Sequence, residues 1–470
     1  MSRKSNCFMV VLIITAVVLF ILALVSFILL FVFDRLFLSM LAKNTVLQPG
    51  SPLFDNWLSP SVPIWFKVYM LNLTNADEVL AGGRPHFQEV DPNNVKITTP
   101  NLFCLSPDAR WITLLTSCQP FTTITAEEAM WGYYPSSLLE VAGKKVGLFI
   151  KLNGTDVHEF VVDVGVENIQ NIGQIYEADG KKKLTIWDND EANMIIGTDG
   201  SLASPGLQVG STVTFYVPEI CRSTTLYATG KKSTVNLKDV EIIVFTGDPA
   251  DPTEHIFEWR NRIFCQTKAG CPPKGLVSLE PCLKSEGVDM PMYLSQPSFI
   301  GADPRIGEHF DGLSIPNPDK HVTTVHIEPT TGFLLEAFKR VQFNILMRNT
   351  DKMFKKMKSG IYFPIGRIEE TAVADKRSLE EIYNRILLPR KQIPIILSVV
   401  CAVTTLLAVI IILSLAIYLR CSKRNTAVDP ATPSTSSTMS LKEELGFKIS
   451  VITIKPNWGV RPSKNYLQLG

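Results

Sequence analysis

Two apolar segments decide the fold of this chain: Phe8–Phe33, FMVVLIITAVVLFILALVSFILLFVF, and Ile393–Leu419, IPIILSVVCAVTTLLAVIIILSLAIYL. Neither contains a charged residue, and the first has only Thr15 and Ser26 as polar side chains. A helix needs roughly 20 apolar residues to cross about 30 Å of hydrocarbon, and each segment is longer than that. The sequence therefore predicts two transmembrane helices, residues 8–33 and 393–419, with a large domain between them.

A cleaved signal peptide is the alternative interpretation of the first segment. The apolar core of a signal peptide is typically about 7–15 residues long. No small-x-small cleavage site follows the segment, which ends in Phe33-Asp34-Arg35-Leu36. An uncleaved anchor is therefore preferred. Basic residues flank both segments, and Arg390 and Lys391 precede the second, so charge hardly decides the orientation.

Residues 34–392 carry the signals of a lumenal or extracellular domain. The two glycosylation sequons, Asn72-Leu73-Thr74 and Asn153-Gly154-Thr155, both lie in this range. Six of the nine cysteines lie there as well, a distribution typical of an oxidising compartment. The sequence predicts an ectodomain glycosylated at Asn72 and Asn153. It also predicts a cytosolic tail of residues 1–7 and a disordered cytosolic tail of residues 420–470.

The ectodomain is predicted to be rich in β-strands, because β-branched and aromatic residues cluster between Pro, Gly, Asn and Asp. The predicted strands are Val62–Tyr69, Val146–Leu152, Phe160–Val166, Thr212–Val217 and Val240–Phe245. The clearest hairpin joins Val322–Glu328 to Phe333–Met347 through Pro329-Thr330-Thr331-Gly332. Helices are predicted after capping boxes that begin at Thr125 and Ser378. The predicted fold class is a mixed α+β membrane protein.

Motifs for catalysis or cofactor binding are absent from the sequence. None of G-x-S-x-G, H-E-x-x-H and G-x-G-x-x-G occurs. Residues 230–233, GKKS, match only half of a P-loop, because Thr225 stands where the leading glycine belongs. His321 and His326 share a predicted hairpin strand, where their odd spacing puts them on opposite faces. We expect no enzymatic activity, cofactor or metal site, and a net charge of +1 gives no basic face for nucleic acid.

Three motifs, in the same order, resemble those of the class B scavenger receptor family. Residues 128–133, EAMWGY, are similar to the family's E-x-x-W-G-Y. Residues 193–200, NMIIGTDG, are similar to its N-x-I-x-G-T-D-G. The most specific match is IEPTTGF at 327–333, which runs into KRVQFN at 339–344.

The resemblance covers about Pro63–Val90 and Glu127–Tyr418, together with the two-span layout. It implies a β-barrel-like ectodomain with a helical cap and a hydrophobic tunnel that leads lipid to the membrane. The implied ligands are fatty acids, sterols or lipoproteins. An apolar conduit would spare a lipid about 0.8 kcal/mol for each CH₂ group kept from water. A lysosomal trafficking receptor and a lipid exporter are the alternatives within the family.

Between Val90 and Glu128 the chain departs from the family pattern. A G-P-Y-x-Y segment and a long helical stretch are missing there, and a short segment with Cys104, Trp111 and Cys118 takes their place. In relatives the missing stretch builds the apical bundle that binds protein or particle ligands. Either the cap is reduced in this protein or its gene model skips exons, and apical ligand recognition is not predicted.

The resemblance also implies covalent features. The family's disulfides map onto Cys221–Cys282 and Cys265–Cys271. A further disulfide of fatty-acid translocase maps onto Ala192 and Ile263, so both of its partners are absent together. Cys7 and Cys421 lie at the cytosolic ends of the two spans, where S-palmitoylation is expected as in relatives.

The C-terminal tail contains a candidate sorting signal. Tyr466-Leu467-Gln468-Leu469 fits the Y-x-x-Φ pattern, in which Tyr466 and Leu469 would fill two pockets of a clathrin adaptor. The predicted location is therefore the plasma membrane, the endosome–lysosome membrane, or both.

Two other classes of membrane protein share the two-span layout. A two-span ion channel uses polar or glycine-rich pore helices, whereas the second span here offers only four hydroxyl side chains: Ser398, Thr404, Thr405 and Ser414. An accessory subunit of a lipid flippase would lack the E-P-x-T-G-F hairpin. Conductance in a bilayer, or co-purification with a P-type ATPase, would identify them.

Overall fold

The computed structural model of the protein describes residues 3–58, 62–93, 95–102, 119–134, 140, 145–150, 158–234, 236–247, 263–265, 271–285, 290–347, 356 and 360–426. The chain forms two compact units, Val18–Leu406 and the pair of Met1–Val17 with Leu407–Gly470. Several residues discussed above lie outside the described ones, among them Cys104, Trp111, Cys118, Asn153, Tyr466 and Leu469.

Long helices occupy both ends of the described chain. The α-helices of the described residues are α1 (Arg3–Asn44), α2 (Pro52–Leu58), α3 (Ala76–Leu80), α4 (Ala126–Trp131), α5 (Glu280–Ser285), α6 (Pro304–Gly307), α7 (Pro318–His321), α8 (Lys376–Ile382) and α9 (Leu388–Thr426). A π-helical turn, Tyr383–Leu387, joins α8 to α9. Two helical stretches, Phe8–Lys43 and Lys376–Cys421, are long and apolar enough to cross a membrane. Both predicted spans lie within them.

The domain between these helices is built mainly from antiparallel strands. The strands of the described residues are β1 (Ile64–Leu73), β2 (Phe87–Val90), β3 (Lys96–Pro100), β4 (Phe121–Thr125), β5 (Phe160–Val162), β6 (Ile175–Ala178), β7 (Thr212–Val217), β8 (Arg222–Ser233), β9 (Glu241–Thr246), β10 (Val277–Ser278), β11 (Met292–Ser295), β12 (Thr324–Ile327), β13 (Leu334–Met347) and β14 (Ile361–Val373).

Ten strands form one sheet in the order β2-β1-β14-β13-β12-β9-β8-β7, with β10 and β11 attached through β13. The pairs β3–β4 and β5–β6 form two separate two-stranded sheets. Among the described residues no pairing joins β2 to β7, so the large sheet is open there. The observed fold is therefore mixed α+β with a sheet-rich domain, and no closed barrel is present in the described part.

Strand alternation gives the large sheet two different faces. The apolar face carries Val68, Ile368 and Val341, which lie side by side on β1, β14 and β13 and belong to the main hydrophobic core. The side chains of Ala126, Ala129 and Met130 on α4 belong to the same core. The polar face carries the next residues along these strands, including Arg340 and Arg367.

Most predicted strands are present with shifted ends, but Val146–Leu152 is wrong in its described part. Val146 forms an isolated bridge with Tyr133. The backbone N–H groups of Leu148 and Phe149 donate to the carbonyl oxygens of Ala129 and Met130 at 2.9 and 2.8 Å. These amides satisfy the free carbonyls at the end of α4, so they are not available for a strand ladder.

The Thr125 capping box is confirmed, but the predicted helix start at Ser378 is wrong. Glu128 N donates to Thr125 Oγ1 at 3.1 Å, and Thr125 N donates to Glu128 Oε2 at 2.8 Å. The second helix begins at Lys376, because Asp375 is its N-cap and accepts from Ser378 N at 3.0 Å. A carboxylate also suits the positive end of the helix dipole.

His321 ends α7 and does not share a strand with His326, which lies on β12. The prediction was wrong because Asn317 caps a helical turn that starts at Pro318. The Asn317 side chain accepts from Asp319 N at 2.9 Å, and proline at the first helical position favours this start.

Candidate functional site

The E-x-x-W-G-Y motif builds the end of α4. Gly132 has a φ of 117°, and an added Cβ would lie 2.9 Å from Ile150 Cδ1, so glycine is required there. The buried Tyr133 hydroxyl donates to Asn101 Oδ1 at 3.3 Å. Burial raises the pKa of Tyr133 above its ordinary value. Trp131, by contrast, is 40% exposed, so of the two aromatic side chains it alone is available to a ligand.

The N-x-I-x-G-T-D-G motif is also structural. The buried Asn193 amide holds a loop by accepting from Ile186 N and Trp187 N, both at 2.9 Å. Gly197 has a φ of 101°, and an added Cβ would lie 2.1 Å from Thr214 O. Asp199 Oδ2 accepts from Trp57 Nε1 on α2 at 3.0 Å. The motif therefore fastens the segment that follows the first membrane-length helix to this loop.

The E-P-T-T-G-F motif forms the turn between β12 and β13. The buried Glu328 carboxylate accepts from Thr330 N at 2.9 Å and from Thr331 N at 2.7 Å. Gly332 has a φ of 79°, and an added Cβ would lie 2.0 Å from Ala203 O. Arg390 Nη1 on α9 donates to Thr330 Oγ1 at 2.8 Å. The turn is thereby attached to the second membrane-length helix.

Among the described residues, the disulfides are the two pairs that the resemblance implies. Cys221, which follows the turn Pro218–Ile220, is bonded to Cys282 on α5. Cys265 is bonded to Cys271. The first bridge closes a loop with a sequence separation of 61 residues, so it constrains a large part of the unfolded chain.

The described residues that are predicted to be modified lie on different helices and strands. Asn72 is half-buried on β1, and its Oδ1 accepts from Thr98 N at 2.8 Å. Cys7 lies on α1, and the exposed Cys421 lies on α9. The other sequon residue, Asn153, and the sorting residues Tyr466 and Leu469 lie outside the described part of the chain.

Four aromatic rings connect the surface with the core on the apolar face; we call Phe66, Trp131, Phe149 and Phe343 the aromatic ladder. Ring centroids lie 6.3 Å apart for Phe66 and Phe149, 6.0 Å for Trp131 and Phe149, and 5.4 Å for Phe149 and Phe343. Phe66 is 49% exposed, whereas Phe149 is buried. The sequence could not reveal this ladder, since exposed and core aromatic residues look alike on a strand.

Two clefts of the described surface have charged side chains in their linings. One, of about 550 Å³, lies at the turn between β1 and α3 beside β3 and β4, and Asn75, Asp77 and Glu78 line it. The other, of about 500 Å³, lies between β8, β9, β12, β13 and α7, and Lys232 and Arg340 line it. The lining of the first cleft is mainly polar, whereas the second combines charged side chains with apolar ones such as Val244 and Phe338.

The two hairpin-region histidines are both buried and hydrogen-bonded. His326 Nδ1 lies 2.7 Å from Glu336 Oε2, and both side chains are almost fully buried. His321 Nδ1 accepts from Asn317 N at 3.2 Å, and burial, reinforced by the nearby Arg367, lowers the pKa of His321. Within the described residues no three His, Cys, Asp or Glu side chains are grouped so that they could hold a metal ion.

Comparison with known proteins places these motifs in a family. The sequence model of the CD36 family matches residues 15–96 and 91–418. Lysosome membrane protein 2 of Mus musculus is 27% identical over 412 residues, which cover 75% of this chain and 83% of the mouse protein. The human protein of the same name is 26% identical over 423 residues, with coverage of 76% and 84%.

A second group of relatives matches a shorter stretch. Sensory neuron membrane protein 1 of Ostrinia furnacalis is 31% identical over 254 residues, which cover 54% of this chain and 46% of that protein. The family match itself runs from the first membrane-length helix to the second and includes all three motifs. The chain therefore belongs to the CD36 family, the class B scavenger receptors whose motifs it carries.

Proposed function

We propose that this protein binds lipids on its ectodomain and passes them to the membrane through an apolar passage, in a barrel-like domain of the family type. The aromatic ladder is the observation that carries the proposal. Its outer rings, Phe66 and Trp131, are open to solvent, and its inner rings belong to or pack against the main hydrophobic core. The ligands would be fatty acids, sterols or the lipids of lipoproteins.

The physical reason is the cost of exposing apolar surface. Each CH₂ group of a lipid gains about 0.8 kcal/mol when it leaves water. Contiguous exposed apolar side chains on a soluble domain mark binding surfaces. Ile64, on the same face of β1 as Phe66, is also exposed, at 59%. An acyl chain or sterol ring that lies over this surface would cover these side chains as well as itself.

A displacement assay with fluorescent fatty acid and fluorescent sterol on the full-length protein tests this proposal. Phe66→Ser should weaken binding about five- to tenfold, because it removes roughly 1 kcal/mol or more of apolar contact. Trp65→Ser is the matched control, since Trp65 is the neighbouring exposed ring but points to the opposite face of β1. Absence of binding by folded wild-type protein would contradict the proposal.

The proposed topology puts both tails in the cytosol and the sheet domain in the lumen or outside the cell. The sequons of Asn72 and Asn153 and the two disulfides support this orientation. Glycosidase treatment should then increase gel mobility, and S-palmitoylation is proposed at Cys7 and Cys421. No mobility shift with both sequons intact would count against a lumenal sheet domain.

The proposed location is the plasma membrane and the endosome–lysosome membrane. The name of the relative lysosome membrane protein 2 supports the second compartment. The Tyr466-Leu467-Gln468-Leu469 sequence supports delivery by clathrin adaptors. Tyr466→Ala should raise the amount of protein at the cell surface. An unchanged distribution between the cell surface and endosomes would show that this sequence is not the sorting signal.

A further inference from the structure

The polar face of the sheet has a cleft that the lipid proposal does not use. It measures about 500 Å³ and lies between β8, β9, β12, β13 and α7. We propose that this cleft binds a small oxyanion, a phosphate or sulfate group that is either a free ion or part of a lipid headgroup. The cleft and the aromatic ladder lie on opposite faces of the sheet, so this proposal does not depend on lipid binding by the ladder.

The charge of the lining favours an anion. Lys231, Lys232 and Arg340 line the cleft, and Asp319 is the single carboxylate among its lining residues. Lys231 is paired with Glu241 at 2.8 Å, but Glu241 is not part of the lining. Lys232 forms no ion pair within the described residues, so its ammonium group is free to bind a ligand.

Arg340 supplies unused hydrogen-bond donors. Its side chain is more than nine-tenths buried, and a guanidinium has five N–H donors. Within the described residues only Nη1 makes a hydrogen bond, to Val322 O at 2.6 Å. Arg340 Nε is buried without a hydrogen-bond partner and lies 3.5 Å from Glu369 Oε1. Arginine commonly binds oxyanions through its N–H groups. Because Nε faces Glu369 and Nη1 donates to Val322 O, Nη2 is the nitrogen that makes no hydrogen bond within the described residues and can reach a ligand.

The backbone leaves room for the ligand at Gly230. The ladder between β8 and β9 is irregular between Ala228 and Gly230, where the register shifts. A Cβ added to Gly230 would meet no atom within 4 Å. The sequence segment GKKS thus lies on the end of an antiparallel strand and not in a P-loop, but it still presents two lysines beside an open space.

The place of the cleft explains why a lipid headgroup is one of the two sources. His326 lines the cleft on β12, two residues before Glu328, which begins the turn attached to α9 through Thr330 and Arg390. The strands that form the cleft therefore connect directly to the second membrane-length helix.

The test uses the full-length protein in phosphatidylcholine nanodiscs and follows its thermal unfolding midpoint. A ligand that binds only the folded state raises this midpoint, and the rise grows with the logarithm of the ratio of ligand concentration to Kd. Inorganic phosphate is added in one arm, and phosphatidic acid is included in the nanodisc in the other. Lys232→Glu should raise about tenfold the ligand concentration needed for a given midpoint shift, and Gly230→Leu should abolish the shift by filling the cleft. Lys238→Glu, the same charge reversal on an exposed residue outside the lining, should leave the shift unchanged.

Each result decides the proposal. A response to inorganic phosphate that both cleft variants lose identifies a free oxyanion. The same dependence seen only with phosphatidic acid identifies a headgroup. The proposal is overturned if folded wild-type protein responds in neither arm, or if Lys232→Glu and Gly230→Leu respond like Lys238→Glu. Unfolding midpoints without ligand confirm that the variants are folded.

Discussion

Arg390 Nη1 donates a hydrogen bond of 2.8 Å to Thr330 Oγ1, and this contact attaches the turn between β12 and β13 to α9. The Arg390 guanidinium also lies 5.6 Å from the ring of Phe37 on α1. Glu328 fixes the turn by accepting from two successive backbone N–H groups. The family motif E-P-T-T-G-F thus has a mechanical role, since it connects the sheet with both membrane-length helices.

Thr330→Val should destabilise the protein by about 1–2 kcal/mol, because it keeps the side-chain shape and removes the acceptor of a charged donor. The measurement is thermal unfolding in detergent. A double-mutant cycle with Arg390→Gln should give a coupling energy of about 0.5–1.5 kcal/mol. If the losses in free energy of unfolding of the two single variants simply add in the double variant, Thr330 and Arg390 are not energetically coupled.

Gly197→Ala should prevent proper folding, whereas Gly210→Ala should be tolerated. Both glycines have φ values near +100°, at 101° and 94°. An added Cβ would lie 2.1 Å from Thr214 O at Gly197 and would meet no atom within 4 Å at Gly210. We expect a cost of about 3–5 kcal/mol at the first site and about 1–2 kcal/mol at the second. Export from the endoplasmic reticulum reports the difference, and equal export of the two variants would refute the close approach at Gly197.

Cys282→Ser should lower the free energy of unfolding by about 4 kcal/mol, because the Cys221–Cys282 bridge closes a loop of 61 residues. Cys401→Ser, a free cysteine on α9, is the control and should have little effect. Peptide mapping without reduction should recover Cys221 linked to Cys282 and Cys265 linked to Cys271. A peptide that links Cys221 to Cys265 would be incompatible with the structure.

Acid should destabilise the ectodomain partly through His321. Burial holds the pKa of this imidazole below its usual value of about 6.5, and Nδ1 must stay unprotonated to accept from Asn317 N. As the pH falls through 6.5, the unfolded chain binds a proton that the folded chain does not, so the free energy of unfolding falls. The stabilisation that comes from unprotonated His321 is fully present above about pH 6.5 and is lost as the pH falls below it.

His321→Asn should flatten this pH dependence, because the Asn amide oxygen can accept the same hydrogen bond without titrating. Urea unfolding of wild type and variant between pH 5 and pH 8 makes the comparison. Above pH 7 the two slopes should coincide, and below pH 6.5 the wild type should lose stability faster. If the free energies of unfolding of the two proteins depend on pH identically over the whole range, His321 does not contribute to the pH dependence.

The sequence predicted the elements whose signals are local or repeated over many residues. The two spans, the hairpin of β12 and β13 and the Thr125 capping box all depend on continuous apolar runs or on groups three residues apart. The helix start after Asp375 was missed because the Asp375 carboxylate accepts from the backbone N–H of Ser378 and so begins the helix before the predicted capping residue. The strand predicted at Val146–Leu152 is absent from its described part because the backbone N–H groups of Leu148 and Phe149 donate to carbonyl oxygens of α4.

The candidate sites were harder to predict, because they depend on which face a residue occupies. Trp65 and Phe66 are neighbouring aromatic residues on β1, yet of these two only the ring of Phe66 contacts Phe149. Lys232 and Arg340 are 108 positions apart and meet in one cleft through the pairing of β8, β9, β12 and β13. A single sequence contains no signal for that register.

The central claim, lipid binding through the aromatic ladder, is tested most directly by native mass spectrometry of the full-length protein released from mild detergent. Wild type and Trp65→Ser should carry adducts with the masses of sterols or acyl lipids, and Phe66→Ser should carry markedly fewer. Protein without lipid adducts in all three samples, or equal adducts in all three, would contradict lipid binding through the aromatic ladder.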